Sequence, residues 1–146
     1  MKVVFLDIDG VLNSAKTNFH RIDPELVSHL NWLLDQSGAE VVVSSTWRMF
    51  VTMPDELIRA GLDRERLAPD WRTPDATFVQ RGSEVVIADE RGHEIQDWLT
   101  RHEECVGFVI LDDANDMAHL VDRLVQTDHM VGLTMADARR ALEMLA

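Results

Sequence analysis

Short, nearly continuous runs of Val, Ile, Leu and Phe recur along the 146 residues, at 2–7, 40–44, 84–88, 106–112 and 129–133. Several are apolar at almost every position rather than at alternate ones. That is the pattern of strands covered on both faces, as in a parallel sheet. Parallel strands need crossover connections, and helical patterns separate most of the runs. The clearest helix is 24–37: Asp23 stands as N-cap, Pro24 takes the first helical position and Gly38 supplies the stop. Leu26, Leu30, Leu33 and Leu34 form its apolar stripe, with Ile22 and Val27 placed as a hydrophobic staple. Helices are also expected over 54–61, 94–102, 117–126 and 135–145, the last capped by Thr134. Residues 62–81, which carry Pro69, Trp71 and Pro74, are expected to be irregular. The whole is expected to be one α/β domain over residues 1–146.

In such sheets ligands bind beyond the carboxyl ends of the strands. Asp7 and Asp9 follow the first run, Ser44 and Ser45 the second, and Asp112 and Asp113 a later one. Alone, Asp9-Gly10 reads equally well as a surface turn. Three polar clusters reaching one sheet edge favour a site. Adjacent carboxylates at a buried strand end are costly unless a cation neutralises them, and hard oxygen ligands at this density suit Mg²⁺. A hydroxyl at a strand end can bond a phosphoryl oxygen, which selects Ser44, with Ser45 as the fallback. Asp116 is expected to cap the helix that follows it.

Composition narrows the partners. With 26 acidic residues against 14 basic, the net charge of -12 disfavours broad binding to nucleic acid or anionic membrane. Only Lys2 and Lys16 are lysines. A single cysteine, Cys105, flanked by Glu103 and Glu104, reads as an inert thiol. The apolar run after Lys2 is too short for a signal peptide, and no stretch approaches the roughly 20 apolar residues of a membrane span. The expected location is the cytoplasm.

DIDGVLN, VVVSSTWR and VILDDANDM, in that order, resemble motifs one, two and four of the haloacid dehalogenase (HAD) superfamily of phosphohydrolases. The opening has the DxDG form of its phosphatases. The resemblance extends to small bacterial and phage HAD proteins carrying SS-x-WR and a later RG-x-EI-x-x-WL segment, here residues 91–99. A related HAD domain occurs in RNA-repair proteins. The resemblance implies a Rossmann-like HAD domain with helices on both sheet faces and a minimal cap or none. It implies Asp7 as nucleophile, Asp9 as general acid and base, and Mg²⁺ held by Asp7, the Asp9 carbonyl and Asp112, with Asp113 in support. The family's third motif is a Lys or Arg beside the phosphate. Neither lysine lies in the expected region, so an arginine is implied, a departure from the commoner lysine. Arg91, 21 positions before Asp112, is the choice and Arg81 the runner-up; Arg48 is placed to reach the phosphate or brace the acids.

Trp32, Trp47 and Trp98 are expected in the core or its walls, and His20 and His119 on the surface. Only 37 positions separate Asp7 from Ser44, leaving no room there for a large cap, while 47–84 has room for a small lid. In the family that the chain resembles, an open site of this kind goes with large substrates, so the resemblance implies one such as a nucleic-acid or protein end. A small phosphomonoester, reached in a homo-oligomer whose second subunit acts as lid, is the other expectation. Two non-enzymatic readings stand beside these: a signalling domain phosphorylated on aspartate, and a metal-binding interaction domain without turnover.

Overall fold

Strand β1 (Lys2–Leu6) presents Val4 and Leu6 to one side of the sheet and Val3 and Phe5 to the other, all four fully buried. The computed structural model describes residues 1–45, 52–74, 78–87 and 90–146, with the backbone alone for 78–81 and 84–87. The remaining strands are β2 (Glu40–Val43), β3 (Leu67–Arg72), β4 (Phe78–Arg81), β5 (Glu84–Ile87), β6 (Gly107–Asp112) and β7 (Leu124–Gln126). The helices are α1 (Pro24–Ser37), α2 (Met53–Arg59), α3 (Arg91–Thr100) and α4 (Met135–Leu145). Five strands pair in the order β3-β2-β1-β6-β7, every pair parallel, with Phe5 opposite Val42 on one side and Ile110 on the other.

Both faces are covered, as the unbroken apolar runs require. Val4, Leu6, Val41, Val43, Val109 and Leu111 face one cluster, completed by the apolar stripe of α1, Met53 and Leu57 of α2, and Ala138, Ala141 and Leu145 of α4. Val3, Phe5, Val42 and Ile110 face the other, closed by Ile95 and Trp98 of α3 with Met117 and Leu120. Phe5 meets Trp98 edge-on at 5.4 Å, a favoured aromatic geometry. Burying a large apolar side chain contributes about 1.5–3 kcal/mol, so these central strands carry much of the fold's stability.

Asp23 caps α1 through the Glu25 amide, Pro24 opens the helix, and Gly38 closes it in the left-handed region. Thr134 and Asp137 form a reciprocal capping box at α4. Helix α3 begins three residues earlier than the apolar pattern indicates, on Arg91.

Four expectations are corrected. The segment 117–126 is not an α-helix: a 3-10 helix, Ala118–Arg123, leads into β7. Its apolar residues serve both clusters, Met117 and Leu120 one and Val125 the other, while Val121 is exposed. One helical face cannot reach two sides of a sheet. The segment 129–133 is a turn rather than a strand, carrying an isolated bridge between Asp128 and Gly132. The expected strand at 84–88 exists as Glu84–Ile87, but pairs antiparallel with β4 outside the main sheet. Within 62–81, the expected irregular stretch, lie β3 and β4. Strand β3 holds Pro69 because it is an edge strand of the described sheet, where a missing N–H is tolerated.

Candidate active site

The parallel ladder runs one residue past each strand and so brings distant residues to one rim. The Asp7 amide donates to Leu111 O at 3.0 Å, Ser44 to Leu6 O at 2.8 Å, Thr73 to Val43 O at 3.0 Å and Thr127 to Asp112 O at 2.9 Å. Asp7, Ser44, Ser45, Asp112 and Thr127 are all buried at this edge. One carboxylate oxygen from each of Asp7, Asp112 and Asp113 lies within 4.8 Å of the others. These three expected ligands therefore converge. Asp9 stands outside that trio by its carboxylate, whose Oδ1 accepts from Asn13 Nδ2 at 2.8 Å.

Among the described residues, Arg91 is the only basic side chain in an ion pair with this trio. Its Nε lies 3.6 Å from Asp112 Oδ2, and its terminal nitrogen donates to the Ser44 carbonyl. The start of α3 fixes it there. The Asp116 carboxylate accepts from the Arg91 amide at 3.4 Å, and the Asp116 carbonyl accepts from Gly92 N at 3.1 Å. Asp116 thus attends the N-terminus of α3 rather than the helix after itself, correcting the capping expectation. A Cβ on Gly92 would strike the Met117 backbone, so the RG pair needs its glycine for this contact. Arg48 and Trp47 lie outside the described residues, as does the side chain of Arg81.

The DxDG turn closes on itself and on β7. Gly10 has φ +80°, and a Cβ there would overlap the Asp113 carboxylate. The Thr127 hydroxyl donates to Gly10 O at 2.7 Å, and Gln126 Nε2 donates to Asp113 O at 3.0 Å. Asn13, Gln126 and Thr127 are site residues that motif and spacing do not single out, although Asn13 closes the DIDGVLN motif itself. Thr127→Val keeps the side-chain size but leaves a buried carbonyl without its donor. That change costs about 1–3 kcal/mol, measurable as a lower midpoint in denaturant unfolding.

Burial makes the acids hold their protons. It is the main cause raising the Asp7 pKa to about 6, opposed first by Arg91. Burial, followed by the nearby Asp7 charge, raises Asp112 to about 9. The two carboxyls titrate as a pair and share one proton near neutrality. A site that prefers a proton to a second negative charge, built wholly of hard oxygen donors, fits a small divalent cation such as Mg²⁺. Beside it, the Ser44 Oγ is buried and has no hydrogen-bond partner among the described residues.

Outside the rim, burial also raises the Cys105 thiol, which keeps it unreactive. Trp98 is buried and Trp32 half-buried against the core; His20 and His119 are exposed, with His119 Nε2 2.7 Å from Gln96 Oε1.

The all-parallel sheet, its acidic rim and the DxDG turn place this α/β domain in the HAD superfamily. More narrowly, the chain belongs to the family of HAD domains in Swiss Army Knife RNA repair proteins, which matches residues 3–138. No curated protein and no solved structure matches it. HAD domains are generally hydrolases of the phosphatase type and typically use Mg²⁺. Among the described residues, no helix is long and apolar enough to cross a membrane.

Proposed function

We propose that the protein is a Mg²⁺-dependent phosphomonoester hydrolase that works through an aspartyl-phosphate on Asp7. The observation that carries this reading is the trio Asp7, Asp112 and Asp113, the first two buried, beside a Ser44 hydroxyl that has no hydrogen-bond partner among the described residues. Asp7, Asp112, the Asp9 carbonyl and Asp113 would hold the cation, which when bound offsets the repulsion between carboxylate and phosphate dianion. An Asp7 oxygen attacks phosphorus, and the bond to the ester oxygen breaks as that oxygen takes a proton from the Asp9 carboxyl. Water then attacks the phosphorus of the acyl phosphate and gives its proton to Asp9. The bond between phosphorus and Asp7 oxygen breaks, releasing inorganic phosphate and restoring the Asp7 carboxylate and the protonated Asp9 carboxyl. Ser44, with Ser45 in reserve, bonds the phosphoryl oxygens. Arg91, and Arg48 with it, balance their charge.

The substrate class we favour is a phosphate at a nucleic-acid end. The family matched is one of RNA repair proteins, and the chain between β1 and β2 is largely a short 3-10 turn and α1. The net charge of -12 weighs against a duplex-binding surface but not against recognition of a terminus. We place this work in the cytoplasm, in keeping with the single, half-buried Cys105.

A screen of phosphomonoesters that includes 3′- and 5′-phosphorylated oligonucleotides tests the reading. Wild-type protein with Mg²⁺ is expected to turn over many times and to prefer an oligonucleotide end. Asp9→Asn is expected to accumulate phosphoprotein, because water lacks its base. A long-lived phosphoprotein in the wild type would instead favour signalling, and no phosphate release or phosphoprotein at all would favour a binding module.

A further inference from the structure

Asn13 is fully buried, and all its amide hydrogen bonds lie within the active-site loop. Its Oδ1 accepts from the Gly10 amide at 2.9 Å, and its Nδ2 donates to Asp9 Oδ1 at 2.8 Å and to Phe19 O at 3.4 Å. Chemistry fixes this orientation. The Gly10 N–H can only donate, so the amide oxygen must face it, and the NH₂ then faces the two acceptors. No other side chain of this size offers one acceptor and two donors in one plane. Aspartate would set an oxygen against two oxygens.

The third partner lies in an unusual place. Asn18 and Phe19 are consecutive non-glycine residues with φ of 53° and 59°. A bulky residue in the left-handed region is strained and persists only where its surroundings hold it. The Asn13 bond is one such hold. The ring of Phe19 in turn leans on that of His129, 6.4 Å between centroids, on the loop after β7.

Resting on the phosphoryl transfer assigned above, we propose that Asn13 is a positioning residue that sets the Asp9 carboxyl for proton exchange and ties it to the strained turn at 18–19. An amide hydrogen directed at Asp9 Oδ1 favours the exchangeable proton on Oδ2. It also fixes the carboxyl plane relative to the Gly10 turn. Asn13 touches neither phosphate nor leaving group; it acts through Asp9.

The discriminating experiment compares leaving groups. Protonation of the departing oxygen matters for alkyl phosphates and little for p-nitrophenyl phosphate, whose anion leaves unaided. Asn13→Asp and Asn13→Ser are expected to lower kcat/KM for an alkyl phosphate by about 100-fold, the lower end of what general acid catalysis supplies. For p-nitrophenyl phosphate the loss is expected to be under about 10-fold. The ratio is internal to each variant, so a partly folded preparation does not alter it. Amide hydrogen exchange at residues 18–20 is expected to accelerate in both variants. Equal losses on both esters, or unchanged exchange at 18–20, would overturn the role of Asn13 while leaving the phosphatase reading intact. A wild type that hydrolyses neither ester would overturn both together.

Discussion

Asp7→Asn is expected to lower phosphate-ester turnover by about four orders of magnitude or more while raising the thermal midpoint of the metal-free protein. The first effect follows from the role proposed for it as nucleophile: an amide cannot form the acyl phosphate, and deletion of a nucleophile removes the route rather than weakening it. The second follows from burial. Asp7 is buried beside Asp112, and its raised pKa states that the folded protein prefers this carboxyl neutral. A neutral isostere satisfies that preference permanently. The Mg²⁺-dependent rise in midpoint should shrink in the same variant, since one of three clustered carboxylates is gone. Steady-state hydrolysis and differential scanning calorimetry check the three statements together. A variant that is both inactive and less stable without metal would contradict the account of the rim.

Metal removal should expose a stability that falls with rising pH. Asp7 and Asp112 bind protons more tightly in the folded chain, at about 6 and about 9, than at the ordinary 3.8. Wherever the folded state holds more protons than the unfolded one, stability declines as pH increases. Their contribution is therefore complete below the unfolded value and lost as pH rises through about 6 for Asp7 and about 9 for Asp112. Mg²⁺ requires ionised ligands and takes the place of the protons. The midpoint gained on adding Mg²⁺ should accordingly be larger at pH 8.5 than at pH 6. Thermal unfolding in a chelator and in Mg²⁺ across that range measures it, and a gain independent of pH would refute the linkage.

Much of the rim is readable in residue order. Asp7, Ser44, Asp112 and Asp113 each end an apolar run, and acids or hydroxyls at the end of a buried run are costly unless they bind something. Helix α1 is equally plain because Asp23, Pro24 and Gly38 agree with its apolar stripe. Arg91 needs the family resemblance, since an arginine beside a glycine has no local signature of its own. Helical spacing over 117–126 misleads because Met117 and Val125 belong to opposite sides of the sheet, which periodicity does not register. Pro69 hides β3, being allowed there by position in the sheet rather than by local propensity. Thr127 escapes for a related reason: its partner, Gly10, lies 117 positions away.

The rim is stitched by amides that donate from Asp7 to Leu111 and from Thr127 to Asp112, so both bonds wait on residues more than a hundred positions after Asp7. A growing chain that has released Asp7 from the ribosome still lacks the strand against which that carboxylate is oriented. On the proposed reading, cation capture would be a late event in biogenesis, and a truncated product ending before residue 107 would carry Asp7 yet bind no ion.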